Sequence, residues 1–81
     1  TLGLISDTRL ESMIKLIVNG KSNVIGEGST LLQLIESLAL NPKQVAVELN
    51  RVIVKRDQFE SVVLHDADEI ELLHFVGGGN R

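Results

Sequence analysis

The residues with the most chemical meaning lie at the end of the sequence, in Val76-Gly77-Gly78-Gly79-Asn80-Arg81. Three consecutive glycines cannot pack a core and lose the most conformational freedom if ordered, so they serve a structural role poorly. They suit a narrow channel, because a backbone without Cβ atoms can thread between walls that exclude any side chain. At about 3.3–3.6 Å per residue, Val76 to Gly79 would project roughly 13–14 Å beyond the domain. Such a reach would carry a terminal carboxylate into a partner's buried active site. On composition alone, a disordered tail or linker explains the same residues equally well. A second candidate is the acidic group Asp66, Asp68, Glu69 and Glu71. It reads either as a solvated turn and outer strand face or as a surface that steers the chain toward a basic partner.

Other chemistries find little support. His65 and His74 are nine residues apart with no third ligand pattern beside them, so they read as surface or core-edge residues and not as metal ligands. The calcium-loop ligand pattern is missing. Gly26 and Gly28 lack the Lys-Ser/Thr ending of a phosphate loop and read as turn residues. Without cysteine there is no disulfide framework, thiolate metal site, iron–sulfur cluster or catalytic thiol. No nucleophile–base pair is evident, which makes a stand-alone enzyme the least favoured class. A formal charge of −3, with Phe59 and Phe75 the only aromatics, argues against a nucleic-acid partner, which would need cationic and stacking side chains. No apolar run is long enough to span a membrane and no signal-peptide core is present, so a soluble, cytoplasmic protein without a membrane partner is expected.

The elements that must carry the tail follow from patterning. A chain of 81 residues holds one domain, and 43% hydrophobic content, mostly Leu, Ile and Val, makes a core feasible at that size. Residues 1–12 have no clear period and read as an extension without stable structure. The domain itself is expected over 13–76, followed by the glycine tail and its Asn-Arg end over 77–81. The β-branched run from Ile14 to Val18, then Asn19-Gly20, then Lys21 to Ile25, predicts a hairpin closed by a type I′ turn. Thr30-Leu31-Leu32-Gln33 fits a capping box. Leu31, Leu34, Ile35 and Leu38 follow at helical spacing, predicting one buried face on a Thr30–Leu38 helix that Asn41-Pro42 brings to an end.

Strands are expected over Gln44–Leu49 and Val52–Val54, joined tightly by Asn50-Arg51. Lys55–Ser61 is polar, with room for a short helical turn, and Val62–Leu64 is a brief apolar piece before a turn at His65–Asp68. A final strand over Glu69–Val76 would put Ile70 and Leu72 inward and Glu69 and Glu71 outward. The fold class is α+β: a mixed sheet packed on one main helix. The period of two then leaves Leu73 and Phe75 on the outer face, and inward Ile14, Leu16 and Val18 leave Ile17 there as well. Exposed apolar residues of this kind mark an interface, with cover by the N-terminal extension as the alternative. The partner-binding residues are therefore read as Ile17, Leu73 and Phe75, continuing through Val76 and Gly77.

From Met13 to Gly79 the chain resembles the ThiS family, the sulfur carriers of thiamin biosynthesis. The matching pieces are Val18-Asn19-Gly20, Thr30-Leu31-Leu32, Val45 to Asn50 followed by Val52-Ile53-Val54, Asp66 to Leu72, and Val76-Gly77-Gly78-Gly79. Each is weak alone; the ordered set is specific. The resemblance implies a ubiquitin-like β-grasp fold and a protein that carries an acyl end for other enzymes. It implies that an E1-like adenylating enzyme of the ThiF type uses ATP and Mg to activate the Gly79 carboxylate, with Gly78 beside it in the channel. A cysteine desulfurase then supplies sulfur for a thiocarboxylate, and a thiazole synthase of the ThiG type accepts it. The carrier itself binds no cofactor in this scheme. The family normally ends on the diglycine, whereas Asn80-Arg81 follow Gly79 here, so trimming is expected before activation. A carrier for another pathway, such as the small subunit of molybdopterin synthase, and a β-grasp binding module with an inert tail are the alternatives.

Overall fold

A computed structural model of the protein describes residues 12–75. Residues 1–11 of the expected extension, and the stretch from Val76 through the glycines to Arg81, lie outside the described residues. Strands β1 (Met13–Val18), β2 (Lys21–Gly26), β3 (Val45–Leu49), β4 (Val52–Val54) and β5 (Glu69–His74) form one five-stranded sheet in the order β2-β1-β5-β3-β4. The central pair β1 and β5 is parallel, and every other pairing is antiparallel. Helix α1 (Leu31–Ser37) contributes Leu31, Leu34 and Ile35 to the core, so the sheet is mixed and packed on one helix. This is the α+β, β-grasp arrangement expected from the sequence.

Local chemistry sets most of the element boundaries. Asn19 and Gly20 both take positive φ, 50° and 81°, as a type I′ hairpin turn requires between two twisted strands. Asn50 and Arg51 do the same between β3 and β4, with φ of 51° and 71°. At the start of α1 the Gln33 N–H donates to Thr30 Oγ1 at 3.2 Å, and the Thr30 N–H donates to Gln33 Oε1 at 2.8 Å. The predicted capping box is therefore complete, and two N–H groups that the helix leaves orphaned are satisfied.

The helix ends where the expected Thr30–Leu38 span puts it, with Leu38 as C-cap, but by a cause other than Asn41-Pro42. Ala39 adopts φ 61°, its N–H donates to the Glu36 carbonyl, and the Leu40 N–H reaches back to the Ile35 carbonyl. These are the two bonds of a Schellman ending, built here on Ala where Gly is usual. Pro42 instead opens a 3₁₀ turn over Pro42–Gln44, capped by Asn41 Oδ1 on the Lys43 N–H. Gln44 is thus part of that turn and not of β3.

The core consists of Ile14, Leu16, Val18, Leu31, Leu34, Ile35, Val45, Val47, Phe59, Leu64 and Ile70. Two expectations change in degree. Leu38, predicted to be buried, is the C-cap residue and only half-buried, because the chain leaves the helix there. Leu72 lies on the core side but is also half-buried, near the end of the sheet. The segment read as polar holds a core residue: Phe59 follows the 3₁₀ turn Arg56–Gln58 and is 2% exposed. The last strand is shorter than expected, ending at His74, with Val76 outside the described residues.

Candidate docking face and tail exit

β5 carries Leu73 and leads to Phe75, two of the residues expected to bind a partner. It lies in the middle of the sheet, and in the sequence Phe75, Val76 and then the glycines follow it. Its register places Leu72 opposite Val47 on the core side and Leu73 opposite Ala46 on the outer side. Beyond His74 the Phe75 N–H still donates to the Gln44 carbonyl at 2.7 Å, so the backbone is held to the edge of β3 as far as Phe75.

On the outer face Leu73 is 62% exposed and Phe75 46% exposed, as the alternation of β5 predicts. Ile53 of β4 is 75% exposed and lies across β3 from them, paired with Glu48. Together with Ala46 and Arg51, Ile53 and Leu73 line a shallow open depression in the sheet. Sequence reasoning did not single out Ile53. The signal was present: in a three-residue strand with Val52 and Val54 on one side, the middle residue must face the other way.

Ile17 is on the same face but only half-exposed, level with Glu69. Four residues of β5 separate that level from Leu73, about 13 Å at roughly 3.3 Å per residue. Leu73 thus lines the depression with Ala46 and Ile53, and Ile17 lies at its Glu69 end, with Glu71 between it and Leu73. Val76, Gly77, Gly78 and Gly79 lie outside the described residues.

The acidic group separates into two kinds of residue. Asp66 and Asp68 organise the turn before β5: Asp66 Oδ1 accepts the Lys15 N–H at 2.9 Å, and Asp68 Oδ2 accepts the His65 N–H at 2.8 Å. Glu69 and Glu71 face outward, and Glu48 joins them as the direct cross-strand partner of Glu71. Like charges placed opposite one another weaken an antiparallel pair, so this trio makes the face acidic at a cost to the sheet. His65 sits in the turn and His74 at the exposed end of β5. Among the described residues no group of His, Asp and Glu is arranged to hold a metal ion. No helix among them is long and apolar enough to cross a membrane.

This geometry matches known proteins over nearly its whole length. The ThiS family model matches residues 12–79, from the residue before β1 through the third glycine. The chain belongs to the ThiS family. The sulfur carrier protein ThiS of Bacillus subtilis is 44% identical over 50 residues, covering 62% of this chain and 76% of that one. A crystal structure of the thiamine biosynthesis protein (ThiS) from Geobacter metallireducens superimposes with a TM-score of 0.70 at 33% identity, covering 82% of this chain and all of that one. A thiazole synthase from Magnetococcus marinus is 41% identical over 68 residues, 84% of this chain. This ThiS-family chain spans about a fifth of that longer protein's length, the matched part being 21% of it.

Proposed function

We propose that the chain is a ThiS-type sulfur carrier of thiamin biosynthesis whose reactive group is the Gly79 carboxyl. The observation that carries this reading is the sequence order at the centre of the fold: the strand bearing exposed Leu73 runs through exposed Phe75 into Val76-Gly77-Gly78-Gly79. A docking face and a side-chain-free reach are thereby joined with only Val76 between them. The protein supplies the acyl group and the surface; its partners supply the catalysis.

The chemistry follows from the poor electrophilicity of a carboxylate. One Gly79 carboxylate oxygen attacks the α-phosphorus of ATP on the adenylating enzyme and expels pyrophosphate, with Mg neutralising the phosphate charge. The resulting acyl adenylate has AMP as a good leaving group. A desulfurase takes sulfur from cysteine as a persulfide; its terminal sulfur attacks the acyl carbon and expels AMP, and a thiol then cleaves the resulting acyl disulfide, leaving a thiocarboxylate and an ordinary disulfide. Thiazole synthase is the acceptor. This assignment is supported by the M. marinus thiazole synthase, a single chain with a segment 41% identical to this carrier.

The test compares a chain ending at Gly79 with the chain ending at Arg81 in ATP–pyrophosphate exchange on the adenylating enzyme of the same host. The shorter chain should exchange, and with the sulfur source it should gain the mass of an oxygen-to-sulfur replacement. The longer one should not, because its carboxylate is displaced by two residues and accompanied by a bulky cation. Gly78→Ala in the shorter chain should slow exchange, since a Cβ would meet a channel shaped for bare backbone. A shorter chain that stays inert would leave only a binding module.

A further inference from the structure

β5 needs hydrogen-bond partners along both edges to keep sheet geometry up to the point where the chain leaves for the glycines. On one edge β3 provides them as far as Val45 opposite His74, and the Gln44 carbonyl takes the Phe75 N–H. On the other edge β1 runs out early. Its pairing with β5 covers Ile17–Glu69 and Val18–Ile70, after which the Asn19 N–H donates to the Ile70 carbonyl at 2.9 Å. A parallel ladder continued one step would put the Asn19 carbonyl on the Leu72 N–H. The backbone instead swings into the β1–β2 turn at φ 50°. The Asn19 side chain takes over: Oδ1 accepts the Leu72 N–H at 2.7 Å, and Nδ2 donates to the Leu72 carbonyl at 3.2 Å. One carboxamide thus replaces a residue pair of missing strand.

We propose that Asn19 is a positioning residue for delivery of the Gly79 carboxyl, an inference that rests on the carrier reading above. By clamping Leu72 it fixes the outward presentation of Leu73 and Phe75 and the line on which the chain leaves the sheet. Without it, Leu72 to His74 would hang from β3 alone, and the root of the tail would wander. A reactive end whose root wanders reaches the attack geometry less often; because glycines stand between root and carboxyl, the loss is about tenfold, short of the roughly 10²-fold that a 1 Å misplacement of the reacting atoms costs. The Leu72 backbone takes one N–H and one lone pair of the carboxamide, and the effect assigned to Asn19 acts through β5.

The molecule carries its own matched control. Asn50 occupies the same position in the same kind of turn, at φ 51°, and also clamps β5. Its Oδ1 accepts the Glu69 N–H at 2.9 Å and its Nδ2 donates to Asp68 Oδ1 at 3.0 Å, but at the start of the strand, away from the exit. Asn19→Gly and Asn50→Gly both retain the positive φ and remove the clamp; Asn19→Asp keeps the acceptor and drops the donor.

The experiment measures ATP–pyrophosphate exchange with chains ending at Gly79, alongside amide hydrogen exchange of the full chain. Asn19→Gly should expose the Leu72 amide, leave Leu16 protected, and lower kcat/KM for the carrier by about tenfold or more. Asn19→Asp should fall between it and the parent. Asn50→Gly should expose the Glu69 amide and leave kcat/KM within about twofold of the parent, because the strand exit is untouched. Equal losses in the two glycine variants would reduce the clamp to general stability and overturn the proposal. Exposure of Leu72 with no loss of kcat/KM would overturn it as well. An inert parent chain would overturn the carrier reading itself, and the inference with it.

Discussion

Replacing Leu34 by Ala tests the helix–sheet packing on which the docking face depends. Leu34 is 2% exposed, between Leu31 and Ile35 on the buried face of α1. Truncation removes three carbon atoms from the core, about 2.4 kcal/mol at roughly 0.8 kcal/mol per buried methylene. A cavity penalty adds to this, bringing the expected loss to about 3–4 kcal/mol within the usual 2–5 range. In urea, with a slope near 1 kcal/mol/M for so small a domain, the midpoint should fall by roughly 3 M. That is a large share of a total stability of order 5 kcal/mol; the roughly 1–2 kcal/mol left would put about 3–15% of the chains in the unfolded state without denaturant. Leu38→Ala supplies the contrast. Half-buried at the C-cap, Leu38 loses about half the transfer energy and opens toward solvent instead of leaving a void, for roughly 1 kcal/mol. A Leu38 variant as damaging as the Leu34 variant would show that the buried face of the helix has been placed wrongly. An unchanged midpoint for Leu34→Ala would remove that residue from the core altogether.

Further expectations concern the cap, the charged face and the docking residues. Thr30→Ala should cost about 1 kcal/mol in urea unfolding and Thr30→Ser much less, since Ser keeps the acceptor for the Gln33 N–H; equal midpoints for the two would mean the cap bond is idle. Glu71→Lys should raise stability at low salt by roughly 0.2–1 kcal/mol, because it turns the like-charged Glu48–Glu71 pair into an attractive one. The gain should fade near 1 M salt, and a gain unaffected by salt would point to a non-electrostatic cause. The same variant should weaken association with a basic partner surface, measured as a slower on-rate. Phe75→Asp should weaken binding to the adenylating enzyme by about tenfold or more, equivalent to roughly 1.4 kcal/mol, with the thermal midpoint little changed. Equal affinity for parent and variant would move the docking site elsewhere.

Where local chemistry alone decides an element, reading the sequence placed it correctly. Asn19-Gly20 dictates its turn through positive φ, and the Thr30/Gln33 pair dictates the helix start through reciprocal bonds. Alternation along β5 was enough to put Leu73 and Phe75 outside. The misses share a cause in tertiary context. Ala39 has no intrinsic preference for the left-handed region, so nothing in its identity announced a Schellman ending three residues before Pro42. Phe59 lies among Arg56, Asp57, Gln58 and Glu60, and a single aromatic in a polar run has no period to reveal that it turns inward. Glu48 could not be joined to Glu71 until strand order brought β3 beside β5. The Asn19 clamp was hidden for the same reason: it spans 53 positions of sequence, and turn chemistry already gave that residue a sufficient purpose.

The place of β5 also governs when this molecule can first exist. The β1–β2 and β3–β4 hairpins close on neighbouring residues and can form as soon as they are made. In the finished sheet, however, β1 and β3 are separated by β5, the latest of the five strands in chain order. During synthesis the two hairpins and the helix must therefore wait, with their apolar faces unsealed, until residues 69–74 have emerged. Closure depends on contacts far apart in sequence, the kind that form slowly and leave a nascent chain open to aggregation and to chaperones. A chain arrested anywhere before β5 has neither a sealed core nor Leu73 and Phe75 to display, so an incomplete translation product lacks the surface that the proposed carrier role requires.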